Sequence, residues 1–142
     1  MKIQIFIDKN REEQVIIYAH ERTELINSIE GLINNQNPLM GYKEREAIPL
    51  SPLEVCCFVV EDNKVFAITE NDSFQLKCRL YELEASLPKD FIKINKSCVA
   101  NIKKIKKFSA AFSGSLQVIF KNGRTDYVSR RNLKIVKERL GI

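Results

Sequence analysis

The stretch between Phe91 and Phe108 holds the side chains best suited to chemistry. It reads Phe-Ile-Lys-Ile-Asn-Lys-Ser-Cys-Val-Ala-Asn-Ile-Lys-Lys-Ile-Lys-Lys-Phe. Apolar residues recur at every second or third position, so Phe91, Ile94, Val99, Ile102 and Ile105 can enter a core while the lysines stay on one surface. The central Asn95-Lys96-Ser97 is short and polar, as a loop between two strands would be. Lysine donates to phosphate or to guanine acceptors, serine adds a hydroxyl, and asparagine can pair adenine through two hydrogen bonds. An RNA-recognition surface usually exposes aromatic rings for base stacking. Here the aromatic residues fall in the inward pattern, which favours DNA.

The charge along the chain supports a polyanion at this end. Residues 1–88 carry 9 Lys/Arg against 15 Asp/Glu, whereas residues 89–142 carry 14 against 3, so a net +5 hides segments of −6 and +11. A solvated basic face is the ordinary alternative for such a run. The Lys103–Lys107 pairs have a similar plain role, because lysines keep an exposed edge strand from pairing with other chains.

Other chemistries find little support. The single histidine, His20, lies between a β-rich run and a helix without a companion, which removes a His-based triad or a two-His metal site. The glycines form neither a dinucleotide fingerprint nor a P-loop. Glu61-Asp62 falls at a turn and Glu82/Glu84 on a short helix, where solvated charge is the expected state. No catalysis, cofactor, metal or small-molecule substrate is expected. Cys56, Cys57, Cys78 and Cys98 form no C-x-x-C and read as small core thiols. No apolar run reaches the roughly 18–20 residues of a membrane span, and the first residues are unlike a signal peptide. A soluble, cytoplasmic protein is expected.

The elements that must position the basic segment follow from periodicity and turn residues. Residues 2–8 and 14–19 read as strands, and 21–35 as a helix with an apolar stripe of Leu25, Ile26, Ile29, Leu32 and Ile33. Residues 1–45 thus form a small ββα extension that needs a partner surface to be stable. Beyond it, strands are expected at 39–42, 46–50, 55–61, 65–69, 73–77, 91–95, 99–102, 105–109, 116–120 and 126–128. Turns are expected at Asp62-Asn63 and Asn122-Gly123. A short helix over 80–86 stops at Pro88, and Ser129 can cap a last helix over 131–140 that ends at Gly141. The class is mainly β with short helices.

The segment from Phe91 through Lys96-Ser97 and Asn101 to Ile105 closely resembles the signature of LytTR DNA-binding domains. Leu80-Tyr81-Glu82-Leu83-Glu84 is similar to the short helix before that signature, and Val128-Ser129-Arg130-Arg131-Asn132-Leu133 to the family's closing motif. The likeness covers residues 46–142, and the front end resembles a stand-alone subgroup without a receiver domain. It implies an elongated antiparallel β domain after the ββα extension, inserting loops rather than a recognition helix into successive major grooves of promoter repeats. By motif position it implies Lys64, Lys96 and Arg131 as base readers, with Arg130, Asn63, Lys93, Ser97 and Ser129 at phosphates or flanking positions. Asn95 stands where many relatives carry histidine or serine, and Ala100 where valine is frequent; Asn101 reads as structural.

The same likeness implies double-stranded promoter DNA as partner, taken by a dimer or tandem pair on repeats spaced by about one helical turn (~10 bp) or a multiple. The helical stripe of residues 21–35 is a candidate dimer contact, or equally intradomain core. An integral membrane regulatory partner is a further implication. The competing function is a basic protein-interaction or antagonist module without specific DNA binding.

Overall fold

The computed structural model describes residues 2–34, 39–110 and 114–142. They fall into two compact units, Met1–Asn34 and Asn35–Ile142.

The first unit contains one regular element, α1 (Glu24–Asn34). Thr23 Oγ1 accepts from the Ile26 amide at its start, and Ser28 Oγ donates to the Glu24 carbonyl. The strands expected at 2–8 and 14–19 do not form. The chain turns at Asp8, whose carboxylate accepts from the Asn10 amide, yet no ladder follows on either side. Ile3, Ile5, Phe6 and Ile7 are each more than four-fifths exposed. An isolated two-stranded hairpin is marginal in water unless a third strand or a helix covers its apolar face. The alternation that predicts a strand is present; the packed face that would hold it is not.

The second unit is β-rich. Its strands are β1 (Leu39–Lys43), β2 (Glu46–Leu50), β3 (Val55–Glu61), β4 (Lys64–Thr69), β5 (Ser73–Leu76), β6 (Phe91–Asn95), β7 (Cys98–Asn101), β8 (Ile105–Ala110), β9 (Leu116–Phe120) and β10 (Thr125–Val128). Helix α2 (Leu80–Ser86) lies between β5 and β6, and α3 (Arg130–Leu140) follows β10. The first seven strands make one antiparallel sheet in the order β2-β1-β5-β4-β3-β7-β6, and the last three a second, β10-β9-β8. This unit begins before residue 46, because β1 pairs along its length with β2 and joins the sheet through Tyr42 opposite Gln75.

β3 sits between β4 and β7 and is buried from Val55 to Val59. A bulge between Val55 and Cys57 puts Cys56 and Cys57 in the same apolar cluster as Val59. That side of the sheet meets Val118 and Phe120 of β9, Val128 of β10 and Val136 of α3. On the other side, Val55 and Phe58 pack with Val99 and with Leu80 and Leu83 of α2. The large sheet is therefore covered on one face by α2 and on the other by the small sheet with α3. Asn101 fixes the bulge: buried, it donates to the Val55 carbonyl at 2.9 Å and accepts from the Lys103 amide at 3.1 Å. Its structural role is as expected. Cys56, Cys57 and Cys98 are buried and Cys78 half-buried, all as free thiols. A hydrogen bond with Cys57, then burial, drives the Cys98 thiol far above its ordinary range, so it stays neutral.

The turns behave as their residues dictate. Asp62 and Asn63 both have positive φ (52° and 62°) between the paired Glu61 and Lys64, the geometry of a two-residue hairpin turn with the right twist. Asn122-Gly123 also closes a hairpin, with Gly123 alone at positive φ (89°) and the Gly123 amide bonded to the Phe120 carbonyl.

Gly41 lies where the sheet leaves no room for a side chain. A Cβ there would stand 2.6 Å from Leu50 Cδ1 and 2.7 Å from Phe74 Cβ. The Phe74 atom is fixed by its own strand and cannot move aside. Gly41→Ala is expected to cost about 1–3 kcal/mol through overpacking, read as a lower melting temperature with unchanged strand content by circular dichroism.

Candidate functional site

Three loops come together at one end of the strands. The first is the Asp62-Asn63 turn, with Asn63 and Lys64 exposed. The second is Lys96-Ser97, set between the paired Asn95 and Cys98. The third is the junction of β10 with α3, which carries Ser129, Arg130 and Arg131.

Backbone hydrogen bonds join them in series. The Val60 amide donates to the Ser97 carbonyl at 2.9 Å, tying the first loop to the second. The Ser129 amide donates to the Ile94 carbonyl at 2.9 Å, tying the second to the third. Asn95 completes the link. Its Nδ2 donates to Asp126 Oδ1 and to the Tyr127 carbonyl, both at 2.9 Å, and its Oδ1 accepts from the Ser97 amide at 2.9 Å. Asn95 is 2% exposed, so the base-pairing capacity that its residue type suggests is spent inside the protein. It shapes the Lys96 loop instead of contributing to the surface.

The cations are presented outward. Lys64, Lys96, Arg130 and Arg131 are exposed and Lys93 is half-buried. Among the described residues, no ion pair takes Lys64, Lys93, Lys96 or Arg131. Of the nearby carboxylates, Glu61 meets Arg124 at 3.2 Å, Asp90 meets Lys103 at 3.3 Å, and Asp126 accepts from Asn95 and from the Tyr127 amide, while Asp62 is exposed within the first turn itself.

Arg130 and Arg131 occupy the first turn of α3, which has no acidic residue. The helix dipole puts partial positive charge there, so cations at this end work against helix stability. Ser129 stands at the N-cap position in extended conformation, but its hydroxyl accepts from Asn132 Nδ2 at 2.7 Å rather than from a helix amide. The expected side-chain cap is replaced by a bond that fixes the Ser129 and Asn132 side chains against each other. At the other end, Gly141 (φ 69°) takes the left-handed cap as expected.

Asn63, Lys64, Lys93 and Lys96 also line one open cleft of about 730 Å³. Arg130 and Arg131 do not line it. Lys77 and Arg79 of the connection from β5 to α2, which sequence patterns did not single out, do line it, with Tyr81 of α2 beside them. They lie in the segment whose net charge is negative, and only the pairing of β5 with β4 brings them beside the basic turns.

The Asn95 link predicts a specific defect. Asn95→Ala removes all three bonds, leaves the part-buried Ser97 amide and Tyr127 carbonyl without this partner, and is expected to cost about 1–3 kcal/mol. Urea denaturation would show a lower midpoint, and hydrogen exchange would show lost protection at the Ser97 and Ser129 amides. Unchanged exchange at both amides would mean that the link does not hold the loops.

Comparison with known proteins agrees with this geometry. The LytTr DNA-binding domain family model matches residues 45–141. Proteins of Staphylococcus aureus strains NCTC 8325 and COL, named as uncharacterized HTH-type transcriptional regulators, are each 38% identical to this chain, covering 100% of it and 99% of their own length. The solved LytTr DNA-binding domain from Bacillus cereus superposes with a TM-score of 0.71 at 24% identity, over 75% of this chain and 99% of that one. The chain belongs to the LytTR DNA-binding family.

Proposed function

We propose that this chain is a transcription regulator that binds promoter DNA sequence-specifically, setting its loops into successive major grooves of repeated sites. The observation that carries the reading is the series of hydrogen bonds through Val60–Ser97, Asn95 and Ser129–Ile94, which holds three cation-bearing loops in a fixed relation. Sequence is read at base edges, and a reader works only if its side chain is held in register with the others. Lys64, Lys96 and Arg131 are assigned to base edges. Arg130, Asn63, Lys93, Ser97 and Ser129 are assigned to phosphates or flanking positions.

The names of the Staphylococcus aureus relatives support a regulatory role. Recognition by loops is the reading favoured here, because no two helices follow one another among the described residues: strands separate α1, α2 and α3. The protein acts in the cytoplasm without catalysis. Its residues 1–45, which include α1 with Leu25 and Leu32 exposed, supply a homodimer contact on paired sites or the contact to an integral membrane partner.

The test is a mobility shift with the protein's own promoter region. Binding should weaken steeply with salt, because phosphate contacts release counterions, and should resist excess random competitor. Arg131→Ala is expected to cost about 1–3 kcal/mol at its cognate base pair and to relax preference there. Lys103→Ala, at a lysine already paired with Asp90, should weaken all sequences only mildly. Equal behaviour of the two variants would remove Arg131 from the readers, and equal affinity for promoter and random DNA would overturn specific regulation.

A further inference from the structure

The cleft beside the reading loops gathers five cations, Lys64, Lys77, Arg79, Lys93 and Lys96, and among the described residues no carboxylate lines it. Lys64, Lys93 and Lys96 come from the turn ends of β4 and β6, and Lys77 and Arg79 from the connection between β5 and α2. Collecting like charges on one wall is unfavourable unless something of opposite sign relieves it. The protein's own acids do not do so. Among the described residues the ion pairs join Asp8 to Arg11, Glu30 to Arg22, Asp72 to Lys43, Asp90 to Lys103 and Glu61 to Arg124, and none takes a cleft cation.

Lys77 is held in another way. Its Nζ lies 4.2 Å from the centroid of the Tyr42 ring. A ring face orients an ammonium group without neutralising it, so Lys77 is positioned and keeps its charge for an external anion. Lys43, one residue after Tyr42, makes the contrast: Asp72 pairs with it. Arg79 and Tyr81 are exposed, Tyr81 at 67%, and add guanidinium and phenol donors of the kinds that bind phosphate oxygens.

We infer that Lys77 and Arg79, with Tyr81 beside them, grip the sugar–phosphate backbone of the same duplex whose bases Lys64 and Lys96 read. This rests on the DNA-reading assignment above and adds a contact region that the three loops do not contain. The two sets divide the work. The loops choose the sequence, whereas the β5–α2 connection adds sequence-independent affinity and sets the angle at which the duplex enters.

The double variant Lys77→Gln/Arg79→Gln tests it on the full-length chain. Affinity is measured by fluorescence anisotropy across a salt series, with the protein's own promoter region and with random DNA of equal length. Losing two phosphate contacts should reduce the steepness of log K against log salt by about 2. Affinity should fall by a similar factor on both DNAs, with the preference between them unchanged. The charge-conserving Lys77→Arg/Arg79→Lys pair should restore the slope, which separates lost charge from lost folding. An unchanged slope in the glutamine variant, while Arg131→Ala still relaxes preference, would overturn the inference and leave the regulator reading intact. A changed base preference in the glutamine variant would show these residues to be readers and also overturn it. Failure of the wild type to bind either DNA would overturn both.

Discussion

The amide of Asn95 is the constraint on which the geometry of the site depends. Two donors and one acceptor on a single buried side chain connect β6, the Lys96 loop and the end of β10. No other side chain of the large sheet bonds both to its own turn and to the small sheet's last strand in this way among the described residues. Asn95 itself is buried, so its own amide would cost more unpaired than its bonds contribute when made. The bulge between Lys93 and Asn95 gives the residue its reach, because it re-aims the strand end toward β10. A regular strand would put this amide out of step with the turn.

The same region shows how charge is sorted. An acidic residue near a phosphate-binding surface repels the ligand, yet Glu61, Asp90 and Asp126 all lie close in sequence to the proposed readers. Each is bonded to a group on a different element: Glu61 to Arg124 of the β9–β10 loop, Asp90 to Lys103 after β7, Asp126 to Asn95. Exposed ion pairs contribute little to stability, so their main consequence here is local. The Glu61–Arg124 and Asp90–Lys103 pairs offset two of these anions, and among the described residues no ion pair takes Lys64, Lys93, Lys96 or Arg131. Arg124 is half-buried, its Nε has no partner among the described residues, and its bond to Glu61 also connects the small sheet's hairpin to the end of β3.

Most of the second unit was legible in the sequence because local and global preferences agree there. Residues 46–50, 55–61, 80–86, 91–95 and 116–120 form the expected elements with the expected limits, since alternation, turn residues and Pro88 all give the same answer. Legibility failed where an outcome depends on what lies beside an element. The strands at 2–8 and 14–19 have the right alternation but no cover. Asn95 reads from its type as a surface reader, and only the adjacency of β6 to β10 makes it internal. Lys77 and Arg79 vanish in a charge count along the chain because the sheet order, not the sequence order, decides which cations meet.

The role of α3 follows from what its surface is committed to. Val136 is fully buried where α3 packs on β6 and β10, and Leu133 and Leu140 pack around the same cluster, so one side of the helix is core. A recognition helix needs a long face free to enter a groove. This helix has 11 residues, and its anchoring positions recur through its length. Its first turn, where Arg131 stands against the helix dipole, lies on a junction bonded to Ile94, while the exposed side of the helix runs on through Lys134, Lys137 and Arg139. The helix thus serves as a fixed mount for its own N-terminus. Packing fixes the direction of Arg131 and the dipole disfavours it, a placement in keeping with the base-reading role proposed for it.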